Sequence, residues 1–221
     1  MSKNCPIDRE VDTERVKSWA YCISDGEEIP ARQLQKKHSP ESFKKDQFGI
    51  ESNSGKWRKY LHGMHVPSIA FQKKMGNKAS CVLNHRIWDL FRKAPPSHDR
   101  LKTLIAPAKS ALTKVVGAYP APEGEWMLVN ERTYNYFFKR DLKKILSNHS
   151  QRDSVDKFIG ALVLLIDAEN RGSKLQYKMA YSAAQFNLRT ACGYLQYIKE
   201  EQIRKLFDLR FKPSPHLRHR S

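Results

Sequence analysis

The stretch SNSGKWRKYLHGMHVPS, residues 52–68, sets bulky apolar side chains among dense cations. Trp57 and Tyr60 lie among Lys56, Arg58 and Lys59. Gly63 follows the tyrosine by three positions, and Pro67 follows the glycine by four. On a helix, residues three and four apart share a face. Trp57, Leu61 and part of Tyr60 then form a packed stripe. Ser54, Gly55, Arg58, Lys59 and His62 form the opposite one. Asn53 or Ser54 caps the start. Gly63 ends the helix with a positive φ, and Pro67-Ser68 opens the next, which carries Phe71 and Met75 four apart.

Working outward, the helical period continues on both sides. Residues 11–24 place Val16, Trp19, Ala20 and Ile23 on one face, with Asp12 or Thr13 as cap. ARQLQKKH, 31–38, is a short basic helix. SPESFKKDQFGIESNS, 39–54, reads as a loop. A helix over roughly 82–93 turns Leu83, Ile87, Trp88 and Phe91 inward. KAPPSHDR, 93–100, has the composition of a linker. Beyond it, LKTLIAPAKSALTKVVGAY reads as two short helices, YPAPEGE (119–125) as a turn and NERTYNYFFKRDLKKILSNH as a helix. DSVDKFIGALVLLIDAEN is the most apolar helix, capped by Asp153 or Ser154. Segments 174–195 and 197–211 complete a bundle, and 213–221 is a basic tail. The expected fold class is all-α, with an N-terminal domain over 10–93 and a helical domain over 98–212.

Charge is the strongest global signal. The chain of 221 residues carries 40 Lys and Arg against 23 Asp and Glu, a net charge of +17. Residues 1–29 are net negative, whereas 30–80 hold a net +8, so nearly half the excess sits in the window around the opening stretch. Such a surface points to a polyanionic partner. The four cysteines are far apart and form no CxxC pair, which fits free thiols in a reducing compartment. The N-terminus shows no apolar leader, and the longest apolar run, IGALVLLI at 159–166, is too short to cross a bilayer. The expectation is a cytoplasmic, nucleoid-associated protein without a membrane partner.

Catalytic patterns are missing: there is no phosphate-binding glycine loop, HExxH or GxSxG. His62, His65, Cys81 and His85 do not follow a usual zinc spacing, and Cys81 and His85 read as helix-packing residues. Asp167 and Glu169 close an apolar helix against its dipole, so a cation should attend them. No enzymatic activity, metal or cofactor is expected.

The order of short helices over 12–93, with Trp57, Tyr60, Gly63 and Pro67 at their spacing, resembles the helix-turn-helix family of phage-repressor and Xre-type regulators. HRIWDLF is similar to the last helix of some of its members. The resemblance covers about 80 residues. It implies a recognition helix that packs by one stripe and enters the major groove by the other. Arg58 would read guanine. Lys56, Lys59, Lys73 and Lys74 would hold phosphates, and Asn53, Ser54, Gly55 and His62 would line the contact. The helix N-terminus would offer free N–H groups to a phosphate. The family has a short turn where this chain has 39–53. Either the second helix runs through ESFKKDQF, or the segment is an insertion whose Lys44 and Lys45 touch the DNA backbone as an arm.

The reading is a sequence-specific double-stranded DNA-binding protein, a bacterial or mobile-element transcriptional regulator, acting as a homodimer through its C-terminal helices. Its rivals are a DNA-tethered subunit of a defence or plasmid-maintenance complex, and an RNA or single-strand binder that stacks bases on Trp57 and Tyr60.

Overall fold

Pro6 opens the first helix. Its ring presets a helical φ, and the N–H it lacks has no partner in a first turn. This helix, α1, runs Pro6–Ile23 in the computed structural model, which describes residues 5–45, 47–49, 51–93, 119–120, 126–127, 151–172 and 174–211. Its start lies upstream of the expected residue 11, so Asp12 and Thr13 are interior residues rather than caps. Val16, Trp19 and Ala20 are buried as their spacing indicated, and Ile23 is half-buried.

Helix α2, Ala31–His38, has the expected bounds. The segment after it is not a plain loop. A 3-10 turn, Pro40–Ser42, leads into β1, Phe43–Lys45, which pairs antiparallel with β2, Glu51–Asn53. The register sets Phe43 opposite Asn53, Lys44 opposite Ser52 and Lys45 opposite Glu51. So α2 does not continue through ESFKKDQF; β1 and β2 form a hairpin there. Beyond Phe43 its strand residues are polar and carry no apolar alternation, which left the sequence reading no period to find.

Helices α3, Lys56–Leu61, and α4, Ile69–Met75, follow. Ser68 caps α4, accepting from Phe71 N at 3.3 Å. Phe71 is buried, and Met75 is half-buried. The helix expected over 82–93 is two, α5, Asn77–Leu83, and α6, Ile87–Phe91. Asn84 Nδ2 turns back to Ser80 O at 3.0 Å, and His85 Nδ1 accepts from Ile87 N at 3.3 Å to start α6. Leu83, Ile87, Trp88 and Phe91 remain buried because both pieces keep their inner face. Cys81, expected to pack, is exposed. Helix α1 packs against α3, α5 and α6, α2 against α3, and α4 against α5.

The chain divides into two units, Met1–Lys93 with Tyr197–Gln202, and Ala94–Gln196 with Ile203–Ser221. The returning segment completes a buried polar network in the first unit. Gln202 Nε2 donates to Glu14 Oε2 at 2.9 Å, and its Oε1 accepts from Ser18 Oγ and from Lys199 N, each at 3.0 Å. Lys17 adds an ion pair to Glu14 at 3.1 Å. A buried carboxylate needs such partners.

In the second unit, α7, Gln151–Arg171, and α8, Lys174–Tyr194, pack along each other, with Gly172 at φ 66° in the connection. Phe158, Leu162 and Leu165 bury from α7. Ala180, Ala184 and Ala191 from α8 permit close approach. α9 spans Glu200–Arg210, and its residues from Ile203 on belong to this unit. Within this unit Arg210 grips Glu169 with two hydrogen bonds, at 3.0 and 2.7 Å. A cation, from 41 positions further along the chain, thus attends Glu169 near the end of the apolar helix. Short strands β3, Tyr119–Pro120, and β4, Trp126–Met127, pair antiparallel; Tyr119 and Pro120, expected to begin the turn over 119–125, are strand residues, and 121–125 lie outside the described residues. The helices expected within 101–118 and 130–149, the linker from 94 on and the tail 213–221 lie outside the described residues. Among the described residues the chain is mostly helical, and none of the helices is long and apolar enough to cross a membrane.

Candidate nucleic-acid interface

Helix α3 carries the candidate site, and its inner face fixes its outer one. Trp57 is 0% exposed, and its ring stacks on Trp19 at 5.8 Å with 8° between the planes. Tyr60 is also buried, edge-on to Trp19 at 5.2 Å and stacked on Phe71 at 5.8 Å. Burial raises the pKa of the Tyr60 hydroxyl. Leu61, assigned to the packed stripe from sequence, is only half-buried, and Tyr60 takes its place. These rings meet each other rather than solvent, so Trp57 and Tyr60 are not stacking platforms for unpaired bases. The His38 ring packs against Trp57 at 5.3 Å. Burial, with Lys37 and Lys74 nearby, lowers its pKa and favours the neutral imidazole.

The start of α3 differs from the expected capped terminus. Gly55 holds the N-cap position at φ 60°, with no side-chain cap. Asn53 Oδ1 accepts from Gly55 N at 2.8 Å, closing the turn before the helix. Trp57 N donates at 3.2 Å to Gln35 Oε1, a side chain of α2. Neither Asn53 nor Ser54 is the cap. Of the N–H groups at this terminus, which was expected to offer free ones to a phosphate, those of Gly55 and Trp57 are taken.

Gln35 is buried and does more than cap. Its amide nitrogen donates to Ser42 Oγ, just before β1, and to Ser54 Oγ, just after β2, the latter at 3.2 Å. One side chain therefore pins both feet of the hairpin and the first turn of α3. Ser42 Oγ passes the chain on to Ser39 O at 2.7 Å, and Ser39 Oγ accepts from Trp57 Nε1 at 3.4 Å. Sequence reasoning missed Gln35. Its signal was its place four residues after Ala31, on the inner stripe of α2.

The far end of α3 is closed as its glycine indicated. Met64 N donates to Lys59 O at 2.8 Å and Gly63 N to Tyr60 O at 2.9 Å, the paired bonds of a Schellman stop. Gly63 has φ 67°, and a Cβ there would lie 2.4 Å from Thr13 O of α1. The glycine thus ends α3 and lets it meet α1 backbone to backbone.

On the outer face Arg58, Lys59 and His62 are exposed, together with Asn53 and Ser54; Gly55 is half-exposed. The cations of residues 30–80 sort by what they touch. Arg32 pairs with Glu51 at 2.9 Å, Lys74 with Glu41 at 3.9 Å and Lys78 with Asp25 at 3.2 Å. Lys56, expected on a phosphate, instead lies 3.7 Å over the Phe71 ring. Lys36, Lys37, Lys44, Lys45, Arg58, Lys59 and Lys73 are exposed and pair with no described carboxylate.

A separate open pocket of about 300 Å³ in the first unit is lined by Cys22, Asp25, His38, Lys74, Lys78 and neighbours. Its charges are largely answered internally. The Tyr197 hydroxyl, at 3.0 Å, and Lys78 lower the pKa of the Asp25 carboxyl. No group of three His, Cys, Asp or Glu suited to a metal occurs among the described residues.

No protein-family model matches the chain, and no curated protein or solved structure matches it. The functional argument therefore rests on the geometry of α3 and its surroundings.

Proposed function

We propose that the first unit binds double-stranded DNA, with α2 and α3 acting as a helix-turn-helix whose connection has been extended by the β1–β2 hairpin. The carrying observation is the division of α3. Both aromatics face fully inward, while Arg58, Lys59 and His62 face fully outward with no described carboxylate to answer them. A helix held this firmly on one side and cationic on the other suits a groove lined by phosphates. Arg58 reads guanine through its two-pronged guanidinium, and Lys44, Lys45, Lys59 and Lys73 set the register on the backbone. Asn53, Ser54 and Gly55 stand at the groove floor. Lys74 exchanges its loose pair with Glu41 for a phosphate. Lys56 supports the site through Phe71.

The reading extends to a sequence-specific regulator of a bacterium or mobile element, in which the α7–α8 unit is the second helical bundle and mediates a homodimer. Two reading helices would then sit roughly one DNA turn apart, about 34 Å. No enzymatic activity is assigned. The rival is a DNA-tethered subunit of a larger assembly. A purified protein that is monomeric and captures one fixed partner would favour it.

The deciding experiment selects bound duplexes from a random pool at about 150 mM salt, because low salt inflates non-specific binding. An enriched motif supports sequence-specific reading; its absence refutes it. Arg58→Ala should lower affinity for the enriched motif by roughly 5- to 100-fold and relax one position. Equal weakening on all duplexes would make Arg58 a phosphate contact.

A further inference from the structure

The hairpin poses a physical question. Three-residue strands are too short to be stable alone, and apart from half-buried Phe43 the described residues of the hairpin are exposed. Yet its feet are held by a buried amide, Gln35, and its second strand by the Arg32–Glu51 ion pair. The chain fixes the base of a ribbon whose described residues beyond Phe43 face solvent. At the turn of this ribbon Phe48 is 77% exposed, next to Gly49 at φ 76°. Polar residues are the usual occupants of such a turn, so a projecting phenylalanine is out of place there.

We infer that the hairpin is a second DNA-contacting element. Lys44 and Lys45 cross a phosphate ridge, and Phe48 enters the adjoining minor groove as an apolar wedge that opens a base step. This inference rests on the duplex-binding reading of α3 and extends it. The order of residues fits. β2 ends at Asn53 and α3 begins at Lys56, so the ribbon leaves from the N-terminal end of the reading helix. Phe48 lies three residues beyond the end of β1, in the turn, at the end of the ribbon away from α3. The lysines lie between the reading helix and the tip, where the ridge would be. Side chains on a strand alternate, so Lys44 and Lys45 point to opposite faces and meet phosphates on either side. Apolar wedges in the minor groove unstack a step and bend the duplex, at lowest cost at flexible pyrimidine–purine steps. A duplex answers both features at once. An apolar protein groove would suit the exposed phenylalanine but not the lysines beside it, which pair with no described carboxylate.

The test uses the full chain and A·T-rich duplexes that carry 2-aminopurine at successive pyrimidine–purine steps, at about 150 mM salt. Wild-type protein should brighten the probe at one step, because an unstacked 2-aminopurine fluoresces more. Phe48→Ala should abolish the brightening and weaken binding roughly 5- to 20-fold. Phe48→Leu should keep part of both. Lys44→Ala and Lys45→Ala should each reduce the salt slope of binding by about one while the brightening persists. Phe48 is on the surface, so a melting curve like that of wild type is expected for its variants. Duplex binding without brightening at any step, or brightening undiminished in Phe48→Ala, overturns the wedge and leaves the α3 reading intact. Failure of wild-type protein to bind any duplex removes both. A change of oligomeric state in Phe48→Ala, with duplex binding unaltered, would make the tip a contact with a second copy and overturn the inference.

Discussion

Replacing Gln35 by alanine should uncouple the hairpin and α3 from the rest of the first unit. The side chain makes three hydrogen bonds, to Ser42 Oγ, Ser54 Oγ and Trp57 N. Their losses are unequal. Ser54 is exposed and water can replace the amide there. Ser42 keeps its bond to Ser39 O. Trp57 N is different: it lies in the buried first turn of α3, and an orphaned buried N–H costs about 1–3 kcal/mol. The lost packing of the Cγ methylene adds about 0.8 kcal/mol. The total is about 3 kcal/mol, which for a unit near 100 residues lowers the melting midpoint by roughly 10–20 °C. Gln35→Glu should cost less, since a carboxylate still accepts from Trp57 N and the Ser54 hydroxyl can rotate to donate. Urea unfolding followed by the fluorescence of buried Trp19 and Trp57 measures the stability. Hydrogen exchange measures where it is lost. Residues 43–53 should lose protection in Gln35→Ala well before α1 does. A change within about 0.5 kcal/mol of wild type, or exchange that rises equally in α1 and the hairpin, would refute the clamp.

Other consequences follow from the same geometry. Gly63→Ala should destabilise by more than about 3 kcal/mol, because its Cβ meets the backbone of Thr13 as well as a positive φ. Gly55→Ala, with nothing within 4 Å, should cost only about 1 kcal/mol, and thermal unfolding of the pair separates approach from strain. His85 has its pKa lowered to about 4 by burial and by Arg86. The unfolded chain therefore takes a proton that the folded one refuses as pH falls below the ordinary value of 6.5, so stability should fall by up to about 3 kcal/mol between pH 6.5 and 4. His85→Asn, which can still accept from Ile87 N, should flatten that part of the pH–stability curve. Gln202→Leu strips hydrogen bonds from buried Glu14 and Ser18 and should cost about 2–4 kcal/mol in urea titrations. The salt dependence of duplex binding should have a log–log slope of about −3 to −6, given up to seven exposed, unanswered cations at about 0.9 each.

What the sequence made legible was what local chemistry determines. The bounds of α2, the glycine stop of α3 and the start of α4 follow from caps and turn residues within a few positions. The buried faces of α1, α5 and α6 follow from helical spacing. The hairpin was illegible because FKK and ESN carry no strand pattern; they pair because Gln35 draws Ser42 and Ser54 together. The break between α5 and α6 was hidden for a related reason. Neither Asn84 nor His85 is an obligate breaker, and only the bonds they make in place end one helix and begin the next. The return of Tyr197–Gln202 to the first unit has no local signal at all, since Glu14 and Gln202 are 188 positions apart.

The same distinction explains which site residues could be read. A helical wheel placed Arg58, Lys59 and His62 outward, and they are outward, because Trp57 and Tyr60 fix the rotation of α3. Lys56 sits at the edge of that wheel, where rotation alone does not decide. Its long stem reaches the Phe71 ring from there, and the ammonium is spent on the core's own aromatic cluster. Composition counted Lys56 with the other cations of the window, but the fold divides them into those answered by a carboxylate, one answered by a ring and those left facing solvent. Only the last group has charge to offer a partner. That group includes Lys36 and Lys37 on α2 and Lys73 on α4, and its other four members lie on the outer face of α3 and the exposed hairpin, two elements tied together by one buried amide. If this surface meets a polyanion, affinity should depend on the lysines, while register should depend on Gln35, a residue that touches no ligand.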